Sequence, residues 1–178
     1  MIREFSAKPK CSNNKARMLF VMSTSVGFAL VLLSTFIPAY KGLVSLAAII
    51  LLTLSVMLYT RYIAPVYFYD IMVTEGGEPL FVVRQQTGKR YTTLCRISLY
   101  EIVKVEKETA EQRRGHKTLS EVKKYSYLPT LDPAESYRIT VNGKYEKAEI
   151  LIEAGEDFIS ILSQYANEAR TYYTDPDE

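Results

Sequence analysis

Charged residues are absent between Arg17 and Lys41, and again between Lys41 and Arg61. The first gap contains Met18, Leu19, Phe20, Val21 and Met22 and the apolar run 28–33. The second contains the apolar run 46–52. A helix rises ~1.5 Å per residue, so ~20 residues cross a ~30 Å hydrocarbon layer. Each gap is long enough for one crossing, and inside lipid a helix satisfies every backbone group within its own segment. Pro38, Ala39, Tyr40, Lys41 and Gly42 join the gaps, and proline and glycine are turn formers. Tyr40, Tyr59 and Tyr62 fall at the edges, where amphipathic rings prefer to sit. The pattern predicts a two-helix transmembrane hairpin over residues 18–64. A cleavable signal peptide is the competing reading of the first span. Its apolar run is too long for that, and no Ala-x-Ala-like site precedes Lys41.

From Val66 the periodicity changes. Residues 66–73 are aromatic and branched, as strands are. Residues 75–79 form a turn, 80–83 begin a second strand, 87–90 form a second turn, and 91–97 a third strand. Residues 103–106 alternate with period two, as a half-buried strand does. Asn142-Gly143 lies between the alternating sets Tyr137, Ile139, Val141 and Ala148, Ile150, Ile152, which predicts a hairpin with both turn residues at positive φ. An irregularity is expected in its second arm near residues 144–147. Phe158, Ile161, Leu162, Tyr165, Ala169 and Tyr172 recur at spacings of three and four, so a helix closes the chain and buries that stripe on the sheet. Glu156 and Asp157 suit its first turn. The soluble part is thus an α+β domain.

Small and hydroxyl residues inside the spans follow faces of their own. Ser23, Gly27 and Ser34 share one face of the first helix, and Ser45, Ala48, Leu52 and Ser55 cluster on the second. Packing within the hairpin accounts for them. A pore lining is the functional alternative, and the ionisable residues that would support one are missing from both gaps.

The net charge of +2 hides a change of sign along the chain. Residues 1–17 hold Arg3, Lys8, Lys10, Lys15 and Arg17 against Glu4, and residues 18–64 hold only Lys41 and Arg61. The remainder is acidic, which argues against nucleic acid as a partner. Basic residues before the first span, with Lys41 alone between the spans, place the N-terminus in the cytoplasm by the positive-inside rule. Two crossings return the chain to that side. The expectation is a multi-pass protein of the cell membrane, with both termini cytosolic. Its parts are a cytosolic basic tail (1–17), the hairpin (18–64), a cytosolic domain (65–172) and an acidic tail (173–178). Cys11 and Cys95 suggest no disulfide framework, and reduced cytosolic thiols are expected. Palmitoylation of Cys11 is the sharper and weaker alternative.

The order of strands followed by one helix resembles the pleckstrin-homology-like (PH-like) fold, an antiparallel barrel or sandwich capped by a C-terminal helix. It is most similar to bacterial PH-like domains found behind membrane spans. Ile97-Ser98-Leu99-Tyr100-Glu101-Ile102-Val103-Lys104-Val105 is similar to their apolar-x-Leu-x-acidic-Ile pattern before a strand. The resemblance covers residues 65–172, and another small β-barrel with one helix is the competing fold. Members that bind phosphoinositides carry a basic first hairpin. Here that hairpin is the acidic Glu75-Gly76-Gly77-Glu78, a departure that leaves inositol-phosphate recognition without support.

Catalytic signatures are missing from the sequence. His116, the sole histidine, lies in Arg113-Arg114-Gly115-His116-Lys117, a charged segment without partner motifs. Zinc, nucleophile-elbow and phosphate-loop patterns do not occur, so no enzyme activity, cofactor or metal is expected. Two docking surfaces are. The long connection after Glu106 carries Arg113, Arg114 and Lys117, and the apolar segment behind it carries Tyr125 and Tyr127. Mixed charge marks a solvated loop, and its functional reading is a partner-docking loop. Arg61, Lys89 and Arg90 are expected at the membrane surface, because the second span runs directly into the first strand. The expected function is a membrane-anchored, non-enzymatic module that docks an unidentified protein partner or scaffolds a membrane assembly, with homo-oligomers allowed. The alternative is an oligomeric channel or transport accessory subunit built on the hairpin.

Overall fold

The computed structural model describes residues 4–9, 13–109, 122–133, 135–143 and 147–174. They form two units, one of helices and one of sheets.

In the helical unit, α1 (Asn14–Phe36) and α2 (Lys41–Leu58) are joined by a 3-10 turn, Pro38–Tyr40. A π-helical turn, Tyr59–Ile63, extends α2. With that turn each helix has 23 residues, about 35 Å at ~1.5 Å each, so both are long and apolar enough to cross a membrane. Their large apolar side chains mostly face outward, Leu32, Phe36, Leu43 and Val56 among them. The buried positions are small: Ala16, Ser23, Gly27 and Ser34 on α1, with Ala48 and Ser55 on α2 beside Leu58. Ser45 and Leu52 are half-buried. The Ser23 and Ser55 hydroxyls share a 2.7 Å hydrogen bond. A Cβ at Gly27 would stand 2.9 Å from Leu52 Cδ2, so a larger residue there would push the Leu52 side chain aside. Asn13 Nδ2 donates to Tyr62 O at 2.7 Å, and the Phe20 and Tyr59 rings lie 5.7 Å apart. Residues 130–132 also belong to this unit, where Asp132 pairs with Lys15.

The sheet unit holds two four-stranded sheets. Sheet A runs in the order β1 (Phe5–Ala7), β2 (Pro65–Val73), β3 (Pro79–Thr87), β4 (Arg90–Ser98). Sheet B contains β5 (Ile102–Glu108), β6 (Lys123–Ser126), β7 (Ser136–Asn142) and β8 (Lys147–Ile152), in the order β5–β7–β8–β6. Two expectations change here. No closed barrel forms among the described residues, because the 3-10 turn Leu99–Glu101 ends the β4 ladder and sends β5 to pair with β7. Fully buried Leu99 and Ile102 anchor that corner in the core. The sheets are also not antiparallel throughout, since β6 lies parallel to β8.

Within the stretch taken as a basic tail, Phe5–Ala7 is the edge strand of sheet A, antiparallel to β2 with Phe5 opposite Ile71 and Ala7 opposite Tyr69. Phe5 stacks on Phe158 at 5.9 Å between ring centroids. A three-residue strand held by such tertiary contacts has no periodic run to betray it.

The core alternates as strands must. Tyr67, Tyr69 and Ile71 of β2 meet Phe81 and Val83 of β3, and Ile139, Val141, Ile150 and Ile152 of sheet B. The closing helix α3 (Glu156–Thr174) adds Phe158, Leu162, Ala166 and Ala169, spaced by four, four and three. Ile161 and Tyr165, placed on the stripe by spacing, flank it half-buried, and Tyr172 is exposed. Arg170 Nη2 donates to the Ile102 and Val103 carbonyls at 2.5 and 2.8 Å, tying α3 to the corner.

Turn chemistry explains the hairpins of sheet A. Gly77, at φ +82°, donates its N–H to Thr74 O at 2.9 Å in the β2–β3 turn. Thr87 pairs with Arg90 across a two-residue turn whose first member, Gly88, has φ +62°. Asn142-Gly143 behaves otherwise. Asn142 is the last ladder residue, opposite Lys147, so the connection is residues 143–146 rather than the Asn-Gly pair, and Asn142 has no positive φ.

Candidate functional site

One end of sheet A gathers basic and aromatic side chains. Because β3 runs against β2, the end where β2 begins also receives the β3–β4 turn, while β1 stops opposite Tyr69, midway along β2. Lys89 closes that turn and Arg90 opens β4, both exposed and without an ion-pair partner among the described residues. Tyr91 follows, 61% exposed, with its ring 6.1 Å from that of Phe68. Lys8, just past β1, holds its ammonium 5.9 Å from the centroid of the same Phe68 ring. Phe68 alternates with the core residues Tyr67 and Tyr69, and so faces outward. The opposite end of the sheet carries Glu4, Glu75 and Glu78. Sheet A is therefore polarised between its two turns, with exposed Arg96 of β4, opposite Val82, as a basic residue in the acidic half.

Of the residues expected at surfaces, Lys89 and Arg90 are thus adjacent. Arg61 belongs to the helical unit, in the π-helical turn, with its guanidinium 6.0 Å from the Tyr62 ring. Tyr125 is exposed on β6. Tyr127 is half-buried against the core: its N–H donates to Leu151 O at 2.9 Å, and its carbonyl accepts from Tyr69 Oη at 2.9 Å. Arg113, Arg114, His116 and Lys117 lie outside the described residues, as does Cys11. Sequence reasoning missed Lys8, Phe68 and Tyr91. The outward place of Phe68 in the alternation of β2 was the available signal.

The other polar clusters close on themselves. Asp70 is 2% exposed, yet both its oxygens are engaged: Ser6 Oγ donates to Oδ1, and Arg84 Nε to Oδ2 at 2.5 Å. On sheet B, Arg138 joins buried Glu108 to Glu149, which also lies 3.7 Å from Lys124. Networks of this kind fix strand register, and in the second of them Glu108 Oε2 is buried without a hydrogen-bond partner. Burial pushes the Cys95 thiol up, opposed by its hydrogen bond with Tyr127, so little thiolate is available as nucleophile. Burial and the neighbouring Cys95 push the Tyr127 phenol up to about 12. Among the described residues no three of His, Cys, Asp and Glu converge as a metal site would need.

One open cleft of about 720 Å³ runs between β1 and the start of α3, lined by Phe5, Lys8, Glu135, Glu153, Glu156 and Phe158 among others. Lys107 partly offsets its acidity, at 2.6 Å from Glu135 and 3.3 Å from Glu156. Compared with known proteins, the chain matches no family model and no curated relative.

Proposed function

We propose that the chain is a membrane-anchored, non-enzymatic module whose cytosolic, PH-like domain docks a protein partner or scaffolds a membrane assembly. One observation carries the architectural part. β1, which precedes the two apolar helices, pairs with β2, which follows them. The helices therefore leave one sheet and return to it, as a hairpin that enters and leaves a bilayer from the same face does. Their outward-facing apolar side chains suit lipid as solvent. The basic stretch 1–17 favours the cytoplasmic face of the cell membrane for both termini.

The PH-like assignment is supported by two packed sheets, the buried Leu99 and Ile102 corner, and one C-terminal helix seated in the core. The parallel β6 and the open sheets depart from that pattern. The docking role is supported by an anchored domain whose exposed surface is rich in tyrosine and charge. Affinity purification of the full chain from native membranes in mild detergent tests it. A stoichiometric partner is expected. A homo-oligomer that conducts ions in bilayers would replace this function with the channel alternative.

A further inference from the structure

We propose that the basic end of sheet A is a docking surface for anionic phospholipid headgroups, with Lys89, Arg90 and Lys8 as charge contacts and Tyr91 and Phe68 as interfacial rings. The inference rests on the membrane reading of α1 and α2. Three observations carry it.

The first is covalent. The helix that contains α2 ends at Ile63 and β2 begins at Pro65. Two residues span at most ~7 Å. The first residues of β2 therefore stay within ~7 Å of Ile63, the last residue of that helix. The β3–β4 turn lies at that same end of the sheet.

The second is charge complementarity. The near end presents Lys89 and Arg90, Lys8 follows β1 beside the middle of β2, and the far end carries Glu4, Glu75 and Glu78. Arg84 adds nothing, since Asp70 engages it. The nine residues of β2 separate the two ends by about 30 Å at ~3.3 Å each, several times a Debye length of ~8 Å, so a leaflet that meets the basic end need not feel the carboxylates. A surface with the opposite polarity would be pushed from that leaflet.

The third is the pairing of cation with ring. Lys8 lies over Phe68, and Phe68 contacts Tyr91, which is mostly exposed. Tyrosine prefers headgroup depth because its ring is apolar and its hydroxyl wet. The cluster offers a cation and an amphipathic ring to the same depth of the interface.

The chain contains no tryptophan, so Tyr91→Trp places a single reporter in the patch. The full chain carrying it is reconstituted in nanodiscs of phosphatidylcholine, alone or with one third phosphatidylserine, some of the lipid spin-labelled at the headgroup. Stronger quenching is expected in the phosphatidylserine discs, lost at high salt. Each basic group contributes about fivefold to local association near such a surface, so Lys89→Glu with Arg90→Glu should lower it ~25-fold or more. That variant should quench equally in both discs. The neutral pair Lys89→Gln and Arg90→Gln should fall between. Both pairs sit in an exposed turn at ordinary φ, and circular dichroism checks that they fold. Equal quenching of the parent in both discs, or quenching indifferent to charge reversal, overturns the lipid surface. Failure to enter nanodiscs at all would instead overturn the membrane reading.

Discussion

Asp70 shows how a residue can carry charge, sit buried on a strand, and still have no chemistry to offer. Its two oxygens are held by Ser6 and Arg84, from strands on either side of β2. Removing one partner of a buried pair leaves the other charge uncompensated. Arg84→Leu should destabilise the chain by about 3 kcal/mol, the low end of the range, because the guanidinium is partly screened by water. The double change Asp70→Leu with Arg84→Leu should recover most of that loss. Thermal unfolding in detergent would read both, and an unchanged Arg84→Leu curve would mean that the pair adds no stability. Tyr127 gives a pH prediction. Its folded phenol is raised to about 12, whereas an unfolded tyrosine ionises near ~10. Above pH ~10 the unfolded chain sheds a proton that the folded chain keeps, so stability present below pH ~10 is lost as pH rises toward ~12. The raised Cys95 thiol acts in the same direction. Urea midpoints at pH 8 and 11 should show a smaller drop for Tyr127→Phe than for the parent, and an identical drop would remove Tyr127 from the account. None of these partnerships was legible in the sequence. Asp70, Arg84 and Ser6 are brought together by strand pairing over long separations, which local pattern does not encode. Lys89 and Arg90 were legible because a glycine turn fixes their neighbourhood within four residues.

Elements were legible in proportion to their length and period. The two apolar runs, the long strands of sheet A and the closing helix each repeat a pattern several times. β1 and β6 have three and four residues, too few to repeat one, and both exist because a longer strand offers an edge. The Asn-Gly signal marked the right hairpin but the wrong turn, since the β7–β8 ladder stops at Asn142. Among helix positions, Leu162 is fully buried, and Leu162→Ala should cost about 2–5 kcal/mol. A melting temperature equal to the parent's would put α3 outside the core. β1 can be probed through Phe5, which stacks on Phe158 from the sheet edge while remaining partly exposed. Phe5→Ala should destabilise by about 1 kcal/mol, reading as faster amide exchange along the outer edge of β2. Unaltered exchange at residues 69–71 would argue against the strand. In the helical unit, Gly27→Leu would force a side chain into space that Leu52 occupies and part the Ser23–Ser55 pair. The two helices should then separate on that side, lowering disulfide yield between cysteines engineered across the seam.

At the scale of the whole molecule, the pairing of β1 with β2 makes topology testable independently of orientation. On the proposed membrane reading, the basic residues before α1, against Lys41 alone at the hairpin tip, favour a tip outside the cell and sheets inside. The strand pairing makes a separate demand, that residues before and behind the helices share a side whichever side it is. Single cysteines in a background of Cys11→Ser and Cys95→Ser separate the two claims. Gly42→Cys suits the tip, because a Cβ there meets nothing within 4 Å. Glu4→Cys and Thr174→Cys mark the two ends of the chain. An impermeant maleimide applied to intact cells should label Gly42→Cys alone, and the other two should react only after permeabilisation. Labelling of Glu4→Cys and Thr174→Cys with a silent Gly42→Cys would reverse the orientation and leave the strand pairing intact. Labelling of only one of the two ends would place β1 and β2 on opposite sides of the bilayer, and sheet A as described could not form.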